Sequence, residues 1–531
     1  LQHLSFLFSF FLATQAVMEP LAETPWDVTI SGTGLAQSLL ALALSRSGKK
    51  VLHVDQNSYY GASEAAFSLQ EAQEWASKVN GEPEHYPFED ATVYLPEGTP
   101  QLPPRSYTLT LSPHLIYSKS RLLPTLVASK VYRQLEFQAV GSWWIHKTLP
   151  DSSGTDGTAS SSVLYRVPGS REDVFADDVI SVKSKRTLMR FLRHIGKPPQ
   201  DGDSEAEEED LATSLPEYLA SKFQVPAELH EPLLSLSLSQ ASPGQTSAEY
   251  AVPRIKRHLA SIGVYGPGFG SLLAKWGGGS EIAQVGCRAL AVGGGVYVLN
   301  AGVESISNLH QSENGDDMRV QLHLSNDETI KTKLVVGSNW DLPGQERPAC
   351  DKVARSITVV SSPLESLFPV TAEGGPIPAG AVVVFPGSSF DQSDDLPPVY
   401  LLVHSSETGE CPSGQCVVYG SVNIAGAQGQ SLIEDAVHRL LQSNAEPDAK
   451  VLWSLRYTQL GLTSNGASGR SFKLEDPSPN ILCFPPPSLD LAFDDALIDR
   501  VKDAWKLVMG DEANEQEFMN FEDREHADDE D

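Results

Sequence analysis

The chain has 531 residues, 40% apolar and 20% charged, which gives room for two or more domains with sizeable cores and excludes disorder throughout. Its 39 Lys and Arg stand against 69 Asp and Glu, a net charge of −30 that disfavours nucleic acid and anionic membranes and suits basic protein partners. Five scattered cysteines with no C-x-x-C indicate a reducing compartment and no zinc site.

Residues 1–17, LQHLSFLFSFFLATQAV, are apolar enough for a secretory signal but lack a basic flank. With Met18 opening MEPLAETPWDV, they read as an N-terminal extension, a signal peptide being the competing reading. The large domain begins with them behind it. Asp27 to Ser31 is a short β-rich run, Gly32-Thr33-Gly34 a turn, and Leu39, Leu40, Ala43 and Leu44 recur at helical spacing up to Gly48. Val51 to Val54 is a second strand ending in Asp55, about 20 residues past the glycines, where a Rossmann unit holds a ribose hydroxyl. Gln37 replaces the third glycine of that fingerprint. The fragment alone therefore fits a nucleotide site or a bare βαβ unit equally well.

From about Leu115 to Leu238 the strand pattern fades, and apolar residues recur at three and four in YSKSRLLPTLVASKVYRQL, SVKSKRTLMRFLRHI and LPEYLASKFQVPAELHEPLLSLSL. This predicts a helical domain over 115–240, with an acidic loop at 200–210, inserted into a discontinuous sheet-containing domain of residues 18–114 and 241–510. Strand-like runs return with VYVLN, VQLHL, KLVVGS, SITVV, AVVVF, VYLLVH and CVVYGSV. WGGGSEI and Gly293-Gly294-Gly295 lie between such runs and read as tight turns between strands. The amphipathic DDALIDRVKDAWKLVMG closes the domain, and 511–531 reads as an acidic, disordered tail. No run after the N-terminus reaches the ~20 apolar residues that span a bilayer, so a soluble protein is expected.

Catalytic patterns are missing. No H-E-x-x-H, G-x-S-x-G or G-x-x-x-x-G-K-[ST] occurs, and the thirteen histidines form no close metal pair.

GTGL followed by SRSGKKVLHVDQNSYYG, and the later YGPGFGSLLAKWGGGSEIAQVGCRALAVGGGVYVLN, resemble the Rab GDP-dissociation inhibitors and Rab escort proteins. With the helical insert and VLWSLRY, the resemblance extends over most of 25–510. It implies an α/β (α+β) fold: a large discontinuous flavoprotein-like, Rossmann-type domain plus a smaller helical one. It also implies binding of Rab GTPases in the GDP form, no flavin or other cofactor, no metal, a vestigial Gly32, Gly34 and Asp55, and a cytosolic location with transient visits to membranes. The family's Rab-binding platform falls on Tyr60, Glu281, Arg288, Val296 and Val298. Two departures bear on the pose of Glu281: Ala62 follows Gly61 where the family has a second glycine, and WGGGSEI is one residue longer than the family's YGLGEL.

The segment SREDVFADDVISVKSKRTLMRFL resembles the escort branch, in which a phenylalanine and an arginine eleven residues later dock the α subunit of the Rab geranylgeranyltransferase. Those positions are Phe175 and Arg186. An escort protein would be a non-catalytic accessory subunit that shelters the geranylgeranyl lipid among Leu122, Leu123, Leu126, Val127, Leu188, Phe191 and Leu192. The alternatives are a dissociation inhibitor that only recycles prenylated Rab, and an FAD-dependent oxidoreductase, which would need a glycine at Gln37.

Overall fold

In the computed structural model, the structure describes residues 21–99, 102–148, 162–169, 171–178, 180–196, 211–309, 318–390, 396–443, 448–463 and 480–522. Two sheets organise them. The first is built on the βαβ unit: Trp26–Ser31, the Leu35–Arg46 helix and Val51–Asp55. Its strand order is Val296–Leu299, Val51–Asp55, Trp26–Ser31, Thr329–Ser338, Val320–Leu324, Val303–Asn308, with Ile481–Phe484 also paired to Thr329–Ser338. The first four strands are mutually parallel and the last two antiparallel.

One face of this sheet is covered by three helices, Leu35–Arg46, Gly279–Val292 and Ala496–Met509, whose Leu39, Leu44, Ile282, Leu290, Val501 and Trp505 share one core with Val28 and Ile30. Strands buried on both faces read as continuous apolar runs, which is why VLHVD has no alternation.

The second sheet is larger and mostly antiparallel, running from Phe88–Tyr94 through Val451–Gly461, Asp351–Val360, Cys416–Val422, Val399–Ser405 and Gly380–Phe385 to Phe137–Thr148, Ser271–Ala274 and Ile116–Tyr117. The Gly426–Ser443 helix seals its outer face with Ile433, Ala436, Val437 and Leu440. Its other face carries the helical unit, whose Tyr218, Leu233 and Phe223 share a core with Val382, Val384 and Leu402.

Three expectations are corrected. The predicted helical domain of 115–240 does not start at 115: Ile116–Tyr117, Phe137–Thr148 and Ser162–Arg166 are strands of the second sheet, and the helices of the inserted unit begin at Arg171. The aromatic and β-branched stretch FQAVGSWWIHKT pairs with three strands, and tertiary pairing overrides the helical spacing just before it. The glycine clusters WGGG and Gly293–Gly295 do not join strands but flank the Gly279–Val292 helix. The tail is packed as far as it is described: Met519 is 2% exposed, Phe518 meets the Trp505 ring at 5.5 Å, and the Arg46 guanidinium lies 4.9 Å over Phe521. Its apolar EFMNF outweighs the acidic composition around it. Residues 1–17, 200–210 and 523–531 lie outside the described residues.

The helical unit follows from its sequence. Ser181 caps Val182–Ile195 by accepting the Ser184 N–H at 3.1 Å. Leu188, Phe191 and Ile195 then fall at spacings of three and four on the buried face, while Arg186 and Arg190 face outward. Burying Phe191 contributes on the order of 2–3 kcal/mol.

Candidate functional site

At the glycine turn, Gly32 has φ +88° and packs against the Asp341 carboxyl, which would lie 2.6 Å from a Cβ added there. Asp55 is already saturated. Its Oδ2 accepts the Thr33 N–H at 2.7 Å and the Thr33 hydroxyl at 2.6 Å, and its Oδ1 accepts the Asn57 N–H at 2.7 Å and the Asn57 amide at 3.0 Å. Gln37 donates to Asp341 at 3.1 Å, and its Oε1 lies where a Gly34 side chain would begin. Burial, with the Asp55 charge second, pushes the Asp341 carboxyl up to about 7, and burial pushes Glu64 nearby up to about 7.

These residues do not fit a dinucleotide. A pyrophosphate at the helix N-terminus would meet the Asp341 carboxyl and the Gln37 side chain, which already occupy that end. The cavity left beside Gly34, Tyr59 and Trp340 is about 110 Å³. That is well below the roughly 300 Å³ at which small-molecule sites begin.

The residues expected to face a GTPase lie beside this turn. Gly61 (φ +101°) and Ala62 (φ +46°) make a left-handed corner after Tyr60, and Ser280 on the next helix donates to the Tyr60 carbonyl at 3.3 Å. Ala62 thus holds a backbone conformation that the family's glycine would adopt without strain. Glu281 and Arg288 are two helical turns apart, so they share a face of Gly279–Val292. No ion pair within 4.0 Å joins them; Arg288 donates instead to Gln284, one turn back, at 2.6 Å. Burial raises the Glu281 carboxyl, opposed by the Arg288 charge.

On the adjoining strand, Val296 and Val298 pack with Leu52 and Val54 on one face, while Tyr297 packs with the helices on the other. The strand's period of two separates them. Tyr297, not the two valines, joins Tyr60, with ring centroids 6.0 Å apart. The aromatic pair could have been read from the alternation in VYVL.

The expected lipid pocket divides. Leu122, Leu123 and Leu126 are buried in the core beneath the Leu35–Arg46 and Ala496–Met509 helices, and Val127 is 52% exposed. None of these reaches the helical unit's cavity. Leu188 and Leu192 do: they line an apolar cavity of about 340 Å³ with Leu233, Leu236, Leu259 and Ile262. Phe191 lies in the core beside it, its ring 5.3 Å from Phe223. The lining residues that the sequence reading missed, Leu233 and Leu236, recur at helical spacing in HEPLLSLS. Phe175 is 53% exposed on Arg171–Ala176, and its carbonyl accepts the Lys185 ammonium at 2.9 Å. Arg186 is exposed on the following helix.

Among the described residues no group of three or more His, Cys, Asp or Glu could hold a metal ion, and no helix is long and apolar enough to cross a membrane. None of the five cysteines forms a disulfide.

Known proteins carry the same pattern. The chain is 30% identical over 401 residues to the Candida albicans protein named Rab proteins geranylgeranyltransferase component A, an alignment covering 74% of this chain and 59% of that one. It spans only about three fifths of the length of the Candida albicans and Saccharomyces cerevisiae relatives, 59% and 64%. The fold is that of a Rab GDI from Plasmodium falciparum, with a TM-score of 0.62 at 17% identity, covering 92% of this chain and 99% of that one. An oxidoreductase from Methanosarcina mazei shares it at a TM-score of 0.52 and 11% identity, covering 90% and 99%. The large unit is therefore flavoprotein-like in fold. Residues 22–447, most of the chain, match the family described as GDP dissociation inhibitor. The chain belongs to the GDP dissociation inhibitor family.

Proposed function

We propose that this protein is a Rab escort protein. It binds newly made Rab in the GDP form through Tyr60, Glu281 and Arg288, presents it to the Rab geranylgeranyltransferase through Phe175 and Arg186, and carries the prenylated product to membranes. The observation that supports this most is the contrast between a sealed nucleotide turn and a 340 Å³ apolar cavity in the same chain. The first argues against a dinucleotide at the turn, and the second suits an apolar lipid. Each lipid methylene buried there gains about 0.8 kcal/mol. The fungal relatives' printed name, component A of the transferase, agrees with an accessory role in which chemistry stays with the partner.

Reconstituted prenylation with purified transferase and limiting amounts of this protein tests the reading. Phe175→Ala with Arg186→Ala is expected to abolish prenylation at limiting concentration while Rab-GDP affinity holds, because Phe175 supplies apolar area and Arg186 a directional charge. Tyr60→Ala or Arg288→Ala is expected to weaken Rab-GDP binding by about 2 kcal/mol with unchanged circular dichroism. A wild-type chain that binds Rab-GDP but never supports prenylation would place the protein with the inhibitors that only recycle Rab.

A further inference from the structure

Behind the turn that opens the Gly279–Val292 helix lies a buried hydrogen-bonded pair that no step above uses. His404 Nδ1 and Glu410 Oε2 are 2.6 Å apart, and the two side chains are 4% and 1% exposed. His404 is the last but one residue of the Val399–Ser405 strand of the second sheet, and Glu410 lies just beyond the short turn after it. Thr408 adds its hydroxyl to the same carboxylate oxygen at 3.2 Å. Leaving one member of such a pair alone in the interior is costly, so the pair fixes the turn that carries it.

Three threads run from that turn to Trp276, Gly277 and Gly278. The Thr408 carbonyl accepts the Trp276 N–H at 3.0 Å, and Gly409 packs so closely on the indole that a methyl there would lie 2.5 Å from it. The Glu410 carbonyl accepts the Thr108 N–H at 3.1 Å, and the Thr108 methyl faces Gly277. Tyr419, whose ring is 4.8 Å from that of His404, accepts the Thr110 N–H at 3.3 Å, and Thr110 faces Gly278. Trp276, Gly277 and Gly278 all have positive φ, a sequence of strained or glycine-only conformations that needs external support. They launch the helix on which Ser280 holds Tyr60 and Glu281 follows.

We infer that the buried His404–Glu410 pair is a positioning unit that sets the Trp276–Gly278 turn and, through it, the pose of Glu281 and Tyr60 towards a GTPase. The inference rests on reading that face as Rab-binding. It also assigns the second sheet a part in recognition carried out by the first.

The test combines hydrogen–deuterium exchange over residues 275–283 with the affinity of the full chain for a GDP-loaded Rab. His404→Leu is expected to speed exchange across that segment and to weaken Rab-GDP binding about tenfold. His404→Asn, whose amide can donate from near the Nδ1 position, should restore both. Val437→Ala, on the buried face of the Gly426–Ser443 helix over the same sheet, serves as a control of general destabilisation and should change neither by more than about twofold. Should His404→Leu fail to fold, Glu410→Gln replaces it and is expected to act in the same direction with a smaller effect.

The inference is overturned if exchange over 275–283 stays at the wild-type rate, or if Val437→Ala moves it as much. Faster exchange with wild-type Rab affinity overturns the link to recognition. A wild-type chain that shows no Rab-GDP binding while exchange still responds would sink the Rab reading itself and leave the support of the turn standing.

Discussion

The glycine turn of the first sheet and the apolar cavity of the helical unit are both framed like ligand sites, and they have opposite fates. At the turn, side chains of the protein itself occupy the ligand's positions: Asp341 over Gly32, Gln37 at the helix start, Thr33 and Asn57 on Asp55. In the helical unit, leucines and isoleucines retreat around about 340 Å³ of space. Here Gly32 serves the turn itself, whose backbone at φ +88° and close Asp341 carboxyl leave no room for a side chain. Function must be argued from what fills a site, not from the motif that frames it.

The comparison breaks most visibly if the cavity is filled. Leu192→Trp, at a half-buried lining position, is expected to reduce binding of a geranylgeranylated peptide more than a hundredfold, on the order of 3 kcal/mol, by taking up the space. A fluorescence titration measures it, and unprenylated Rab-GDP binding should be unaffected. A variant that still takes the lipid with wild-type affinity would move the lipid site elsewhere.

The seal at the turn is tested by Gly32→Ala. The added methyl meets the Asp341 carboxyl at 2.6 Å on a backbone at φ +88°, so a loss of roughly 2–4 kcal/mol is expected in urea unfolding. A nearly neutral result would show that Asp341 moves aside easily, and the turn would then be open to a ligand.

The smallest effect concerns charge. Asp341 keeps its proton up to about pH 7 in the folded chain, against an ordinary carboxylate value of 3.8. Folding therefore takes up a proton between those values, and this group's contribution to stability falls as pH rises from about 4 to 7. Buried His53 and His258, both pushed down to about 4 by burial, act in the opposite sense and cost stability as pH falls below 6.5. Asp341→Asn removes only the first dependence. Its stability relative to wild type should rise between pH 5 and pH 8, by roughly 1–2 kcal/mol after the lost charge-assisted bonds. Thermal unfolding across that range checks it, and a flat difference would mean that Asp341 is ionised throughout.

The parts legible in the sequence were local or carried by long motifs. Strand, turn and helix at 27–55 followed from periodicity, as did Val182–Ile195 and the closing Ala496–Met509 helix. Phe518, Met519 and Phe521 were hidden by acidic neighbours, because composition averages over the few side chains that pack. Leu122, Leu123 and Leu126 had the right residue type for a lipid pocket, but hydrophobicity has no address: they serve the first sheet's core while Leu233 and Leu259 serve the cavity.

By itself, the sequence determined the βαβ unit, the helical face of Leu188 and Phe191, and the long motifs of the GDP dissociation inhibitor family, since each depends on residues close together in the chain. Tertiary structure alone decided that Asp341 seals the turn from 304 residues beyond Gln37, that Tyr297 rather than Val296 or Val298 meets Tyr60, and that the loop after His404 packs on the Trp276 turn leading from the second sheet to the helix over the first. Contacts at such separation are set by how sheets and helices stack, and no local pattern of residues encodes them.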